Sequence, residues 1–164
     1  MVWRVAREKR DALRGARAGG RWDDGTFDVL YTSLDADGAI AELNYHLSKG
    51  LPVVPSRVRY FLHRIEVSLE AVLDLSDPAE LERLGVDMAR FGRLSYAERD
   101  QEYPTTQQIA EVASFLGFDA VLVPNARWSC SNLIVFTEKV GPEQMTAEET
   151  TGPIDWADRP KRGD

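Results

Sequence analysis

The chain holds one cysteine and two histidines, and each scarcity removes a class of chemistry. A lone Cys130 excludes an intrachain disulfide and fits a reducing compartment. His46 and His63 stand seventeen residues apart with no cysteine pair to join them, so a zinc site has no ligand set and no metal is expected. No apolar run approaches the roughly 18 residues of a membrane span. No signal peptide opens the sequence either, so export and membrane spanning are not expected and the cytoplasm is the expected compartment. The glycine fingerprint of dinucleotide folds, the phosphate-binding loop of nucleotide hydrolases and the Gly-X-Ser-X-Gly nucleophile elbow are all missing. Positive charge is short as well: 20 Lys and Arg against 27 Asp and Glu give a net charge of −7. That balance argues against direct binding of nucleic acid, whose phosphates call for clustered cations.

What is present fits one soluble globular domain. The chain has 164 residues, 43% of them hydrophobic and 29% charged, enough to bury roughly 70% of the surface its unfolded form exposes. The charge is uneven. Arg4, Arg7, Lys9, Arg10, Arg14, Arg17 and Arg21 are opposed only by Glu8 and Asp11 at the start of the chain. A basic end on an acidic protein suits a small phosphorylated ligand or an acidic partner, and it equally suits a solvated face.

Periodicity gives alternating strands and helices without internal repeats. Strand signals fall on residues 2–5, 27–33, 59–67, 72–75, 120–123 and 132–136, the last two being apolar runs suited to central strands. Asp35 or Asp37 caps a helix running to about residue 49, with Ile40, Leu43 and Leu47 as its buried stripe. Glu42 lies off that stripe with Ala39 and His46, where it faces either a cleft or solvent. Asp77-Pro78 opens a short helix. The capping-box spacing at Thr105–Gln108 predicts another, with Ile109, Val112, Ala113 and Leu116 inward and Gly117 as its stop. From Gly141 the composition turns polar. Residues 141–164 are expected to form a tail, extended or mobile, with Ile154 and Trp156 docking back onto the body.

One stretch stands out as chemistry. Gly19-Gly20 offers flexible backbone that permits close approach of a ligand. Arg21, Tyr31 and Glu42 follow within 22 residues, on a loop, a strand and a helix. Cys130 would need an activating base to act as a nucleophile and more often serves packing. His46, one turn beyond Glu42, either assists proton transfer or sits at the core edge. The remaining set suits cleavage of an N-glycosidic bond in a dinucleotide. A guanidinium grips a pyrophosphate through parallel hydrogen bonds. An aromatic ring packs on a base, and a carboxylate holds a ribose hydroxyl and stabilises the charge that grows on the sugar as the base leaves.

The chain resembles the RES-domain family, toxins of bacterial type II toxin–antitoxin pairs named for an arginine, a glutamate and a serine. The resemblance rests on Trp3-Arg4, Gly19-Gly20-Arg21-Trp22, Leu30-Tyr31-Thr32-Ser33, Ala39-Ile40-Ala41-Glu42, Val123-Pro124-Asn125-Ala126 and Asn132-Leu133-Ile134-Val135-Phe136. It implies a compact α/β (α+β) fold similar to ADP-ribosyltransferases, with a split, mixed sheet around an NAD cleft. On this reading 1–140 form the RES domain and 141–164 the polar tail. It also implies consumption of NAD+ as substrate by cleavage of the nicotinamide–ribose bond, with phosphate, water or a protein side chain as acceptor. Arg21, Tyr31 and Glu42 take the catalytic roles; Arg4, Arg21, Tyr31, Asn125, Ser129 and Ser131 bind NAD. The implied partner is an Xre-type antitoxin that covers the cleft, in an oligomeric assembly. Two departures accompany the match. Asn125 stands where the family often has serine, with Ser129 and Ser131 close by as substitutes. Asp23 stands where asparagine often follows the Arg-Trp pair, which puts negative charge near a pyrophosphate. The alternatives are ADP-ribosylation of a specific protein at the same site, and a degenerate domain that binds a nucleotide or partner without turnover.

Overall fold

Strands frame the structure, a computed structural model that describes residues 1–50, 58–93 and 96–156. Among the described residues seven strands form one mixed sheet: β1 (Val2–Arg7), β2 (Val29–Ser33), β3 (Tyr60–Val67), β4 (Val72–Asp74), β5 (Ala120–Pro124), β6 (Ser131–Phe136) and β7 (Met145–Thr151). They lie in the order β4-β5-β6-β2-β1-β3-β7, with only β4 and β5 parallel. Helices α1 (Ala36–Gly50), α2 (Pro78–Arg83) and α3 (Tyr103–Phe115) cover the sheet. The result is the expected α+β domain with a mixed sheet.

The sheet is nearly two sheets. β2 pairs with β6 from Val29↔Phe136 to Ser33↔Asn132, and β1 pairs with β3 along its whole length. β1 and β2 share the single registered pair Trp3↔Ser33. Beyond that pair the two halves have no common ladder, and the site opens in the gap.

The central strands are buried on both sides, which explains their unbroken apolar runs. Val121, Val123, Ile134 and Phe136 pack with Leu81 of α2 and Ala110 and Ala113 of α3. Their alternates Ala120, Leu133 and Val135 pack on the other face with Val2, Leu30 and Ile65. Each of the larger side chains contributes about 1.5–3 kcal/mol by leaving water. A third cluster sets α1, through Ala39 and Ile40, against Tyr60 and Leu62 of β3. Asp35 caps α1 as expected, its Oδ1 accepting from Asp37 N at 2.8 Å and Gly38 N at 3.2 Å.

Two expectations are corrected. The third helix begins at Tyr103, ahead of the capping-box position, and its inward face is Thr106, Ala110 and Ala113. Val112 and Leu116, expected inside, are 49% and 66% exposed. Small residues at 106, 110 and 113 let the helix lie close against its neighbours; Ile109 packs partly buried against the core as expected, while Val112 and Leu116 turn outward. The second concerns the described part of the 141–164 tail, which is extended as one of its two readings has it, with Ile154 and Trp156 docked, but is paired into the sheet. Residues 145–151 form edge strand β7, antiparallel to β3 from Leu62↔Thr151 to Val67↔Met145. Polar side chains suit an exposed edge, so composition there resembled a tail. Ile154 is buried, its N–H donating to Tyr60 O at 2.8 Å, and Trp156 meets the Tyr60 ring edge-on at 5.9 Å. Residues 157–164 lie outside the described residues.

Candidate active site

A cleft of about 420 Å³ occupies the gap between the sheet halves, a size suited to a small-molecule ligand. Trp3 and Arg4 of β1, Gly19 to Trp22 of the following loop, Tyr31 to Ser33 of β2, Glu42 and His46 of α1, Tyr103 of α3 and Asn132 of β6 all line it.

The loop that carries Arg21 is built around a buried carboxylate. Asp23 is 0% exposed; its Oδ1 accepts from Gly19 N at 2.7 Å, and its Oδ2 accepts from Gly20 N at 3.0 Å and the Tyr31 hydroxyl at 2.9 Å. The Tyr31 oxygen in turn accepts from Trp22 N at 2.9 Å. Burial, and next the Asp23 charge, push the Tyr31 phenol well above its ordinary value, so it stays protonated and donates. Gly20 is required because a Cβ there would press on the Tyr31 hydroxyl and Asp23, and Gly19 adopts φ +66. From α3, Thr106 Oγ1 donates to Arg21 O at 2.6 Å, and Gln107 Nε2 donates to Gly20 O at 2.8 Å and Asp23 O at 3.0 Å. Both ends of the turn are therefore fixed.

Arg21 itself is clamped. Its Nε donates to Glu102 Oε1 at 2.6 Å, with the two side chains 14% and 4% exposed. Its guanidinium lies 4.7 Å from the Phe91 ring centre and 5.6 Å from that of Tyr103. Because Glu102 takes Nε, the terminal nitrogens remain for a ligand. Arg4 differs: its Nη1 donates to Ala12 O at 2.6 Å and Arg14 O at 2.9 Å, tying down the basic loop. Burial, reinforced by Arg10, lowers Arg4 to about 10, which leaves it charged at neutral pH.

On the α1 side of the cleft, Glu42 Oε1 accepts from Ala126 N at 3.2 Å and Asn132 Nδ2 at 3.3 Å. Asn132 Oδ1 accepts from Asn125 Nδ2 at 2.8 Å. His46 is pushed below its ordinary 6.5 by burial, against the pull of Glu42. Cys130 is pushed upward by burial and shares a 3.3 Å contact with Ser33 Oγ, so the thiol is not activated as a nucleophile.

The structure thus brings Arg4, Arg21, Tyr31 and Glu42 into one cleft. Asn125, Ser129 and Ser131, expected to bind substrate, are not among the residues lining it. Asn125 is buried behind the wall, Ser129 is exposed on the loop, and Ser131 opens β6 with its carbonyl accepting from Leu34 N. Glu102, Tyr103 and Asn132 were not singled out as site residues. Asn132 carried a signal, a polar residue at the head of an apolar strand; Glu102 carried none, since its partner lies 81 residues away. Asp23, expected to place charge near a pyrophosphate, turns its carboxylate inward instead. Among the described residues no group of three or more His, Cys, Asp and Glu could hold a metal ion, and no helix is long and apolar enough to cross a membrane.

Fold and cleft define a small α+β ligand-binding domain whose site lies where a mixed sheet splits. The chain belongs to the RES domain family, whose model matches residues 1–157. It is similar to the NAD(+) phosphorylase MbcT of Mycobacterium tuberculosis (strain H37Rv), 26% identical over 154 residues that span 90% of this chain and 79% of that protein. MbcT of Mycobacterium bovis matches with the same identity and coverage. Among solved structures it is similar to the crystal structure of the M. tuberculosis MbcT-MbcA toxin-antitoxin complex. There the TM-score is 0.76 at 26% identity, over 92% of this chain and 81% of the other.

Proposed function

We propose that this protein is the toxin of a toxin–antitoxin pair and consumes NAD+ by phosphorolysis of the nicotinamide–ribose bond. The observation that carries the reading is the meeting of Arg21, Tyr31 and Glu42, from three different elements, around one cleft of a RES domain whose relatives bear the name NAD(+) phosphorylase. Arg21 presents its terminal nitrogens to the pyrophosphate, with Arg4 adding charge nearby. The Tyr31 ring packs on a base while its hydroxyl holds the loop. Glu42, one oxygen occupied by Ala126 and Asn132, offers the other to a ribose hydroxyl. As the C–N bond breaks, its electron pair leaves with nicotinamide, and the positive charge on the ribose is stabilised by that carboxylate. A phosphate oxygen then bonds to the same ribose carbon, giving ADP-ribose 1-phosphate and free nicotinamide. The reading calls for an antitoxin, of the Xre type that the resemblance implies, covering the cleft in an oligomeric complex, and for action in the cytoplasm.

Incubating purified protein with NAD+, with and without inorganic phosphate, and identifying the products tests this. Nicotinamide and ADP-ribose 1-phosphate are expected, and Glu42→Gln is expected to slow their release about 10²–10³-fold. ADP-ribose alone would assign water as acceptor, and modified protein would assign ADP-ribosylation. A folded protein that releases no nicotinamide overturns the proposal.

A further inference from the structure

The loop between β5 and β6 places an asparagine where its chemistry is used up entirely within the protein. An amide side chain offers two acceptor and two donor positions. Asn125 Oδ1 accepts from Arg127 N at 2.7 Å and Trp128 N at 2.9 Å. Its Nδ2 donates to Asn132 Oδ1 at 2.8 Å and, more weakly, to Gly38 O at 3.4 Å. All four positions are filled, the residue is 8% exposed, and it does not line the cleft. Nothing remains for a substrate.

Each of those four bonds ends on something that aims Glu42. The two acceptor bonds close a turn over residues 126–128, and that turn supplies Ala126 N, one of the two donors to Glu42 Oε1. The bond to Asn132 Oδ1 decides which way round the Asn132 amide lies. With its oxygen held by Asn125, its nitrogen must face the carboxylate, and it donates to Glu42 Oε1 at 3.3 Å. The bond to Gly38 O reaches α1 one turn before Glu42 itself. Gly38 permits the approach: a Cβ there would stand 3.1 Å from Asn125 Nδ2 and 2.6 Å from both Ser33 Oγ and Cys130 Sγ.

We infer that Asn125 is a positioning residue that acts through Asn132 and the Ala126 amide to hold the Glu42 carboxylate in its working orientation, without touching the substrate. One hydrogen-bonded centre thereby links the loop, β6 and α1 behind the Glu42 carboxylate. The catalytic consequence rests on the NAD+-consuming reading; the hydrogen-bond relay itself does not.

Asn125→Ser is the informative change, because a hydroxyl can still accept within the turn but cannot span to both Asn132 and Gly38. Two measurements are made on wild type and variant: kcat and KM for NAD+ in the nicotinamide-release assay, and the side-chain amide resonances of Asn132 by NMR. The expected result is a fall in kcat of about tenfold or more, a KM within about twofold, and a displaced Asn132 signal. A KM that rises tenfold with kcat intact would make Asn125 a substrate ligand and overturn the inference. So would an Asn132 signal and a kcat that both stay in place. If the wild type releases no nicotinamide, the functional reading fails, and the NMR arm alone still decides the relay. Should Asn125→Ser unfold, Asn125→Asp decides in its place. It keeps the two acceptor bonds and sets a carboxylate oxygen against Asn132 Oδ1, which requires the Asn132 amide to turn over and move its resonances.

Discussion

Removing the carboxylate of Glu102 separates two contributions that the Arg21 clamp combines, stability and orientation. Arg21 and Glu102 are 14% and 4% exposed and 2.6 Å apart, so each lies largely out of water and relies on the other. Truncating one member of such a buried pair costs about 3–5 kcal/mol, because the surviving charge is left without a partner. Glu102→Ala also removes the acceptor for Gly92 N. In a domain of this size each kcal/mol lowers Tm by about 2–4 °C, so a fall of roughly 6–20 °C is expected in a thermal melt. Glu102→Gln is gentler. The amide oxygen still accepts from Arg21 Nε, but a charge-assisted bond becomes an ordinary one, at a cost of about 1 kcal/mol. If Arg21 must be held to grip the pyrophosphate, that loss appears as a rise of about fivefold in KM for NAD+. The double variant Arg21→Met with Glu102→Leu completes the test. Replacing both charges by apolar groups is expected to bring stability back to within about 1 kcal/mol of wild type, while NAD+ cleavage is lost with the Arg21 guanidinium. A Glu102→Ala protein as stable as wild type, or a Glu102→Gln protein with unchanged KM, would refute the reasoning.

Tyr31→Phe keeps the ring in the cleft and removes the oxygen that accepts from Trp22 N and donates to Asp23. Two buried polar groups lose a partner, and chemical denaturation is expected to show a loss of about 1–3 kcal/mol. Stability should also depend on pH through the two histidines. Burial depresses both His46 and His63 below 6.5 in the folded state, with Arg4 adding to the effect on His63. As pH falls through 6.5 the unfolded chain takes up these protons first, so the histidines favour unfolding below that value and are neutral to the balance above it. Denaturation midpoints at pH 7.5 and 5.5 check the sign: the midpoint should be lower at 5.5, and His46→Gln should shrink the difference.

Local pattern made Arg21, Tyr31 and Glu42 visible as candidates because each sits beside the turn, strand or helix that presents it, and they follow one another closely in the chain. The strands were legible for a similar reason, since burial on both faces writes continuous apolar runs such as Ala120–Pro124. What stayed hidden depends on pairing at a distance. Glu102 looks like any solvated helix-end carboxylate until Arg21 arrives from 81 residues away. Periodicity places Ile109 and Ala113 rightly on the inner side of α3 but misses Thr106, a polar residue that is satisfied by Arg21 O and so can be buried, while apolar Val112 and Leu116 stay exposed. The resemblance makes Asn125 a ligand for phosphate or ribose because it stands at the family's serine position and its amide can make similar hydrogen bonds. Its partners at 38 and 132 could not be anticipated from spacing.

The two inward-facing carboxylates bear on how an acidic protein would hold a dianionic pyrophosphate. Asp23 and Glu102 both lie within the frame of the Arg21 loop, and a count of charges alone would make the cleft a poor anion site. The geometry argues otherwise. Asp23 is surrounded by three donors from Gly19, Gly20 and Tyr31, so its field is absorbed by dipoles that point at it. Glu102 engages Arg21 only through Nε, which leaves the end-on pair of terminal nitrogens uncommitted. An unrestrained arginine must lose up to about 2 kcal/mol of side-chain freedom on binding. Glu102, Phe91 and Tyr103 have already imposed that order before a ligand arrives. The acids weaken the long-range attraction for an anion but set the direction of the guanidinium, and for recognition by two parallel hydrogen bonds direction is the scarcer quantity.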